Sequence, residues 1–208
     1  MARITALCLS MMALFSMLKG ADAHFQLTYP QTRGMDHAKE PTAPCGSFDS
    51  VGPRTEFPLS GGFVEINAGH PQYQYSVKVL VNGNPTASDF SGDNLKEIAS
   101  GQRNYPQQAC LPVDFSKVSD AKNGANATLQ IIFNGGDGEL YQCSDVTLVD
   151  NAPNFNKSMC INADGSKPSE TSGDSGNNSN NGQSGASSLT LTSGAAVLAA
   201  VAAALSLA

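Results

Sequence analysis

Along the middle of the chain, apolar and polar residues alternate in short runs broken by turn formers. Tyr73 to Val81 sets Tyr73, Tyr75, Val77, Val79 and Val81 against Gln74, Ser76, Lys78 and Leu80. A period of two is that of a strand with one face in a core, and Asn82-Gly83 follows at once as a turn signal. Thr128 to Phe133 is an apolar, β-branched run that stops at Asn134-Gly135-Gly136. Leu140 to Val149 reads as a further strand, with Phe25 to Tyr29 and Phe63 to Asn67 as shorter ones. Helical signals are few; Asp93 to Ser100 reads as one or two turns of helix. Short strands separated by Gly, Pro and Asn predict an all-β protein, a β-sandwich.

The two ends follow other rules. Met1 to Ala23 has a positive residue, Arg3, then an apolar run from Ile4 to Leu18, then Ala21-Asp22-Ala23. Those are the parts of a removable secretory signal, and the run is short for a membrane span of about 20 residues. Cleavage after Ala23 makes His24 the first residue of the mature chain. Residues 166–188 are mostly Ser, Gly, Asn and Asp, too polar to bury a core, and read as a solvated stalk. Residues 189–208 turn apolar and end without a basic flank. Small residues, a polar spacer and a greasy tail form the pattern of a glycosylphosphatidylinositol (GPI) signal. Attachment is expected at Ser184, with Asn180 as the alternative. The segments expected are therefore a signal peptide (1–23), a folded domain (24–165), a stalk (166–188) and a removed tail (189–208). The expected location is the outer face of the cell membrane and the cell wall.

What remains to fold is roughly 140 residues, one domain by the usual size range. The chain is acidic, with a net charge of −6, which argues against nucleic acid as a partner and is compatible with a cation. Of five cysteines, Cys8 lies in the signal. Cys45, Cys110, Cys143 and Cys160 remain, an even count that in an exported protein implies two disulfides, with three pairings open. Zinc is disfavoured because no pair has the close spacing of structural zinc ligands. Acceptor sequons for N-glycans stand at Asn126, Asn156 and Asn177.

Three histidines carry the candidate chemistry. As a chain terminus, His24 offers an α-amine together with an imidazole, and the amine, with a pKa near 8, yields its proton readily to a metal. His70 lies in Ala68-Gly69-His70-Pro71, a turn between two predicted strands. If the sandwich sets that turn beside the terminus, one amine and two imidazoles surround a point. Three nitrogens in a tetragonal arrangement, a histidine brace, suit Cu(II) above other first-row divalent ions. His37, between Asp36 and Lys39-Glu40, reads as part of a solvated loop.

The run His24-Phe25-Gln26-Leu27-Thr28-Tyr29-Pro30, followed by Arg33-Gly34 and Pro44-Cys45-Gly46, resembles the start of fungal copper-binding surface proteins related to lytic polysaccharide monooxygenases, the copper acquisition factor family. Gly69-His70-Pro71 and Asp137 to Leu148, with Tyr141-Gln142-Cys143 at its centre, are similar to that group too. The resemblance covers about residues 24 to 162 and the GPI tail. It implies an immunoglobulin-like β-sandwich and one Cu(II) held by His24, His70 and an aspartate. Asp137, after the Asn134 turn, is the expected carboxylate. Asp145 is the alternative, on the strand face that looks away from the metal. The implied role is capture or hand-over of copper at the cell surface, without oxidative attack on polysaccharides, and so not an enzyme. Partners would be the copper ion, the membrane through the anchor, and a copper transporter or a wall glycan. A copper-dependent polysaccharide monooxygenase and a structural wall glycoprotein are the competing functions. Against the enzyme stand the absence of Trp from the chain and a carboxylate on copper, whose charge favours Cu(II) over the Cu(I) that oxygen activation needs.

Overall fold

A computed structural model describes residues 24–168. The signal segment, most of the stalk, Asn177, Asn180, Ser184 and the apolar tail lie outside the described residues, and among those described no helix is long and apolar enough to cross a membrane. Eight strands form two sheets. They are β1 (Phe25–Tyr29), β2 (Arg54–Pro58), β3 (Phe63–Ala68), β4 (Tyr73–Val81), β5 (Leu95–Arg103), β6 (Gln107–Pro112), β7 (Asn126–Asn134) and β8 (Glu139–Val149). The smaller sheet has the order β1-β3-β6 and the larger β2-β8-β7-β4-β5. Every pairing is antiparallel except β2 with β8.

The sheets face each other across one core, the arrangement of an immunoglobulin-like sandwich. Phe25, Leu27, Val64, Ile66 and Leu111 come from the small sheet, and Val77, Val79, Leu129, Ile131, Phe133, Val146 and Leu148 from the large one. On β4 the alternation works as the sequence predicts, with Tyr73, Tyr75, Val77 and Val79 inside. Burial of such side chains is the main favourable term in forming the sandwich, at about 25 cal/mol per Å² of apolar surface removed from water. The helix expected over Asp93 to Ser100 is absent; Leu95–Arg103 is strand β5, at the edge of the large sheet.

β7 and β8 are buried on both faces, with Thr128, Gln130, Cys143 and Asp145 enclosed on the side away from the core. Their cover is the long connection 30–53 between β1 and β2. Connections of this length without regular structure are uncommon and often functional, and this one is fastened throughout. The Arg33 amide donates to the Cys143 carbonyl (2.8 Å), the Tyr141 amide to the Glu40 carbonyl (2.8 Å), and the Gln130 side chain to the Pro44 carbonyl (2.9 Å). Cys45 is bonded to Cys143, and a second disulfide, Cys110–Cys160, ties the segment after β8 to β6. At the centre of the cover Arg33 meets Asp145 in a two-point ion pair, Nε to Oδ2 and Nη2 to Oδ1, both 2.8 Å. Thr128 Oγ and the Gly52 amide complete the carboxylate's partners. Burial would raise the Asp145 carboxyl, but hydrogen bonds from Arg33, Thr128 and the Gly52 amide, with the Arg33 charge, hold it below the usual range.

Candidate metal centre

The site is built where β1 begins. Phe25 pairs with Ala68 on β3, and one step further out the Gly69 amide donates to the His24 carbonyl (2.9 Å). His24 and the His70 turn are therefore backbone neighbours. The residues next to these positions bury a stack of three rings, Phe25 on Phe133 at 5.0 Å between centroids and Phe133 on Tyr73 at 4.6 Å.

Each histidine is held at one ring nitrogen by a main-chain carbonyl. His24 Nε2 lies 3.1 Å from the His37 carbonyl, and His70 Nδ1 lies 2.7 Å from the Gln72 carbonyl. A carbonyl oxygen can only accept, so these two nitrogens carry the ring protons in the neutral imidazoles. The lone pairs then sit on Nδ1 of His24 and Nε2 of His70. Hydrogen bonds of this kind commonly orient histidines that bind metals.

Two residues that sequence reasoning did not assign to the site come with the 30–53 connection. At Asp36 the chain folds into a turn: the Lys39 and Glu40 amides donate to the Asp36 carbonyl and the Ala38 amide to Asp36 Oδ1. That turn returns His37 and Glu40 to His24. The His37 ring stands edge-on to the His24 ring, 4.4 Å between centroids. Glu40 is 1% exposed. Its Oε2 lies 3.7 Å from His24 Nε2 and 3.6 Å from His37 Nδ1, and has no hydrogen-bond partner. Its Oε1 accepts from the Gln142 amide. Burial raises the Glu40 carboxyl above the usual range, opposed by the Gln142 hydrogen bond and by the two imidazoles. Among the described residues, His24, His37 and Glu40 are the one group of three His, Cys, Asp or Glu side chains whose ligand atoms all lie within 4.8 Å of one another.

Gln142 ties these parts together. Besides Glu40, its amide donates to the Phe25 carbonyl (2.7 Å), and its oxygen accepts from the Leu27 amide (3.0 Å). One buried side chain on β8 thus sets the height of β1 and the place of Glu40.

Asp137 is exposed, on the β7–β8 turn, where Asn134 Oδ1 accepts from the Gly136 amide (2.8 Å). Between this turn and the segment after His70 runs a cleft of about 440 Å³, lined by Gln72, Gln74, Gln102, Asn134 and Gly136. Asp137 is not in the His24–His37–Glu40 group. Asp145 is committed to Arg33 under the 30–53 cover. Asn126 and Asn156 are both exposed.

Comparison with known proteins bears on the family of the chain. The family described as copper acquisition factor BIM1-like matches residues 22–165. The copper acquisition factor BIM1 of Cryptococcus neoformans var. grubii is 37% identical over 156 residues, 72% of this chain and 71% of that protein. A lytic polysaccharide monooxygenase-like protein, X325, of Yarrowia lipolytica is 30% identical over 167 residues, 76% of this chain and 60% of that protein. Among solved structures, the catalytic domain of a lytic polysaccharide monooxygenase from Listeria monocytogenes aligns with 61% of this chain and 99% of its own, at a TM-score of 0.42 and 13% identity.

Proposed function

The chain belongs to the BIM1-like copper acquisition factor family, and from that premise we propose that it binds one Cu(II) in a histidine brace and captures or hands over copper at the cell surface. The observation that carries this reading is the pair of main-chain carbonyls 3.1 Å from His24 Nε2 and 2.7 Å from His70 Nδ1. They favour the ring protons on those two nitrogens over the longer approach of the Gln72 amide to His70 Nδ1 at 3.4 Å. His24 has its lone pair on Nδ1, the nitrogen close enough to its own α-amine to close a chelate ring. His70, on the neighbouring backbone position, has its lone pair on Nε2. Two imidazoles with complementary tautomers and one amine are the donor set that favours tetragonal Cu(II).

The amine exists only if the chain is cut after Ala23, so export and metal binding are linked in this reading. Asp137 is the proposed side-chain carboxylate, since its turn borders the cleft beside Gln72 while Asp145 is spent on Arg33. The GPI anchor, the stalk and the sequon glycans would hold the domain at the outer membrane face. The chemistry of the bound ion is that of cargo, taken up as Cu(II) and released to a copper transporter or another acceptor.

Copper titration of two forms decides the brace: one beginning at His24, the other at an acetylated Ala23. We expect the extended form to bind Cu(II) weaker by orders of magnitude at unchanged fold, and His70→Ala to do the same in the His24 form. Equal affinity in the two forms would exclude coordination by the amine.

A further inference from the structure

We propose that His37, Glu40 and the Nε2 edge of His24 form a second station for a divalent ion, separate from the brace and on the opposite edge of the same ring. Glu40 Oε2 is a carboxylate oxygen with no hydrogen-bond partner, on a side chain 1% exposed, aimed between two imidazole nitrogens at 3.7 and 3.6 Å. Native proteins rarely leave such an oxygen without a partner. The rest of Glu40 is immobilised: its other oxygen is held by Gln142, and its main-chain carbonyl accepts from the Tyr141 amide. The carboxylate is thus presented in a fixed place.

The spacing fits a metal. Bonds of about 2.0–2.2 Å from a tetrahedral ion to N and O donors leave the donors roughly 3.4 Å apart. The three ligand atoms lie within 4.8 Å of one another, with both distances to Glu40 already close to that value. Two imidazoles and one carboxylate suit Cu(II) and Zn(II) alike. His37 is 55% exposed and provides the route from solvent, while Glu40 closes the inner side.

The proton balance sets how the station relates to the brace. An ion entering it binds His24 as the other neutral tautomer: the ring proton moves from Nε2 to Nδ1, the Nε2 lone pair goes to the ion, and the His37 carbonyl loses its donor. When copper occupies Nδ1 in the brace, Nε2 keeps that proton and the His37 carbonyl keeps its donor. The two stations share one ring and are filled in alternation. The outer one is a place for copper arriving or departing, a role that rests on the brace reading; the site itself does not.

The test removes the brace by design. A form beginning at an acetylated Ala23 and carrying His70→Ala lacks both a free terminal amine and the second brace imidazole. Calorimetric titration with Zn(II) and with Cu(II) should still show one ion per chain. Adding His37→Ala should abolish that ion; the residue is exposed, and circular dichroism would verify that the sandwich persists. Adding Glu40→Gln should weaken it at least tenfold. No ion in the Ala23, His70→Ala form, or an ion indifferent to His37→Ala, overturns the station. Neither outcome touches the brace, which is judged on the forms that retain His70.

Discussion

At the scale of single residues, two aspartates weighed for the same role carry opposite burdens. Asp145 accepts from Arg33 twice, from Thr128 and from Gly52, with its side chain wholly enclosed. Removing one partner of a buried pair leaves the other charge uncompensated, at about 3–5 kcal/mol. Asp145→Asn should therefore lower stability by about that amount in urea or guanidinium unfolding. The pH dependence has a definite sign. The folded carboxyl titrates below the unfolded value of about 3.9. Its contribution is present above that pH and is lost as pH falls through the lower, folded value. Wild-type stability should drop on acidification below about pH 4, and Asp145→Asn should remove part of that drop. Asp137 is exposed on its turn, so Asp137→Ala should leave the unfolding midpoint nearly unchanged. If it ligates copper, the same substitution should alter the electron paramagnetic resonance spectrum of bound Cu(II). A reversed pattern, with stability lost at 137 and the spectrum changed at 145, would overturn both assignments.

Among the elements, the 30–53 connection shapes the site as much as any strand does. Its path depends on Gly46, which has φ +62° and lies so close to β8 that a Cβ there would meet the Tyr141 carbonyl at 2.7 Å. Gly46→Ala should cost about 1–3 kcal/mol from the left-handed backbone alone, and more from the contact. It should also weaken copper binding by shifting Glu40 and His37, which a melting curve and a copper titration on one sample would separate. The strands legible in the sequence were β1, β3, β4, β7 and β8, where buried apolar residues recur at every second position. Those missed or misread, β2, β5 and β6, all lie at sheet edges. An edge strand buries less and carries polar or charged residues that protect it from further pairing. β5 has Ile98 and Ala99 as its buried residues, and its Leu-Lys-Glu-Ile-Ala run also suits a helix. The nearness of His24 to the His70 turn was legible only as a condition, which the pairing of β1 with β3 meets. Glu40 was not: a connection has no periodicity, and a buried glutamate is exceptional for its type. The sequence signal nearest to it is Gln142, a polar residue on the strand face that should be apolar.

For the whole molecule, the remaining question is whether this sandwich oxidises polysaccharide or only carries copper. A protein that works on an extended glycan surface needs broad apolar rings to lie against it. The chain has no Trp, and among the described residues the exposed large apolar side chains are Met35, Met159 and Ile161, none of them aromatic. The surface beside His70 is instead built of amides, with Gln72 and Gln102 both donating to Asn104. Phe25, Tyr73 and Phe133, close in the chain to His24, His70 and Asp137, are buried and stacked on one another. We therefore expect no oxidised oligosaccharides from chitin, cellulose or xylan when the copper-loaded protein receives a reductant and peroxide, as read by mass spectrometry over time. Cells lacking the protein should instead grow poorly when copper is scarce and recover when it is added. His24→Ala or His70→Ala should reproduce the defect with the surface amount of protein unchanged, since neither side chain belongs to the core. Reductant-dependent release of oxidised sugars that disappears with His70→Ala would establish the enzyme in place of the carrier. A growth defect indifferent to copper would point to a structural part in the wall.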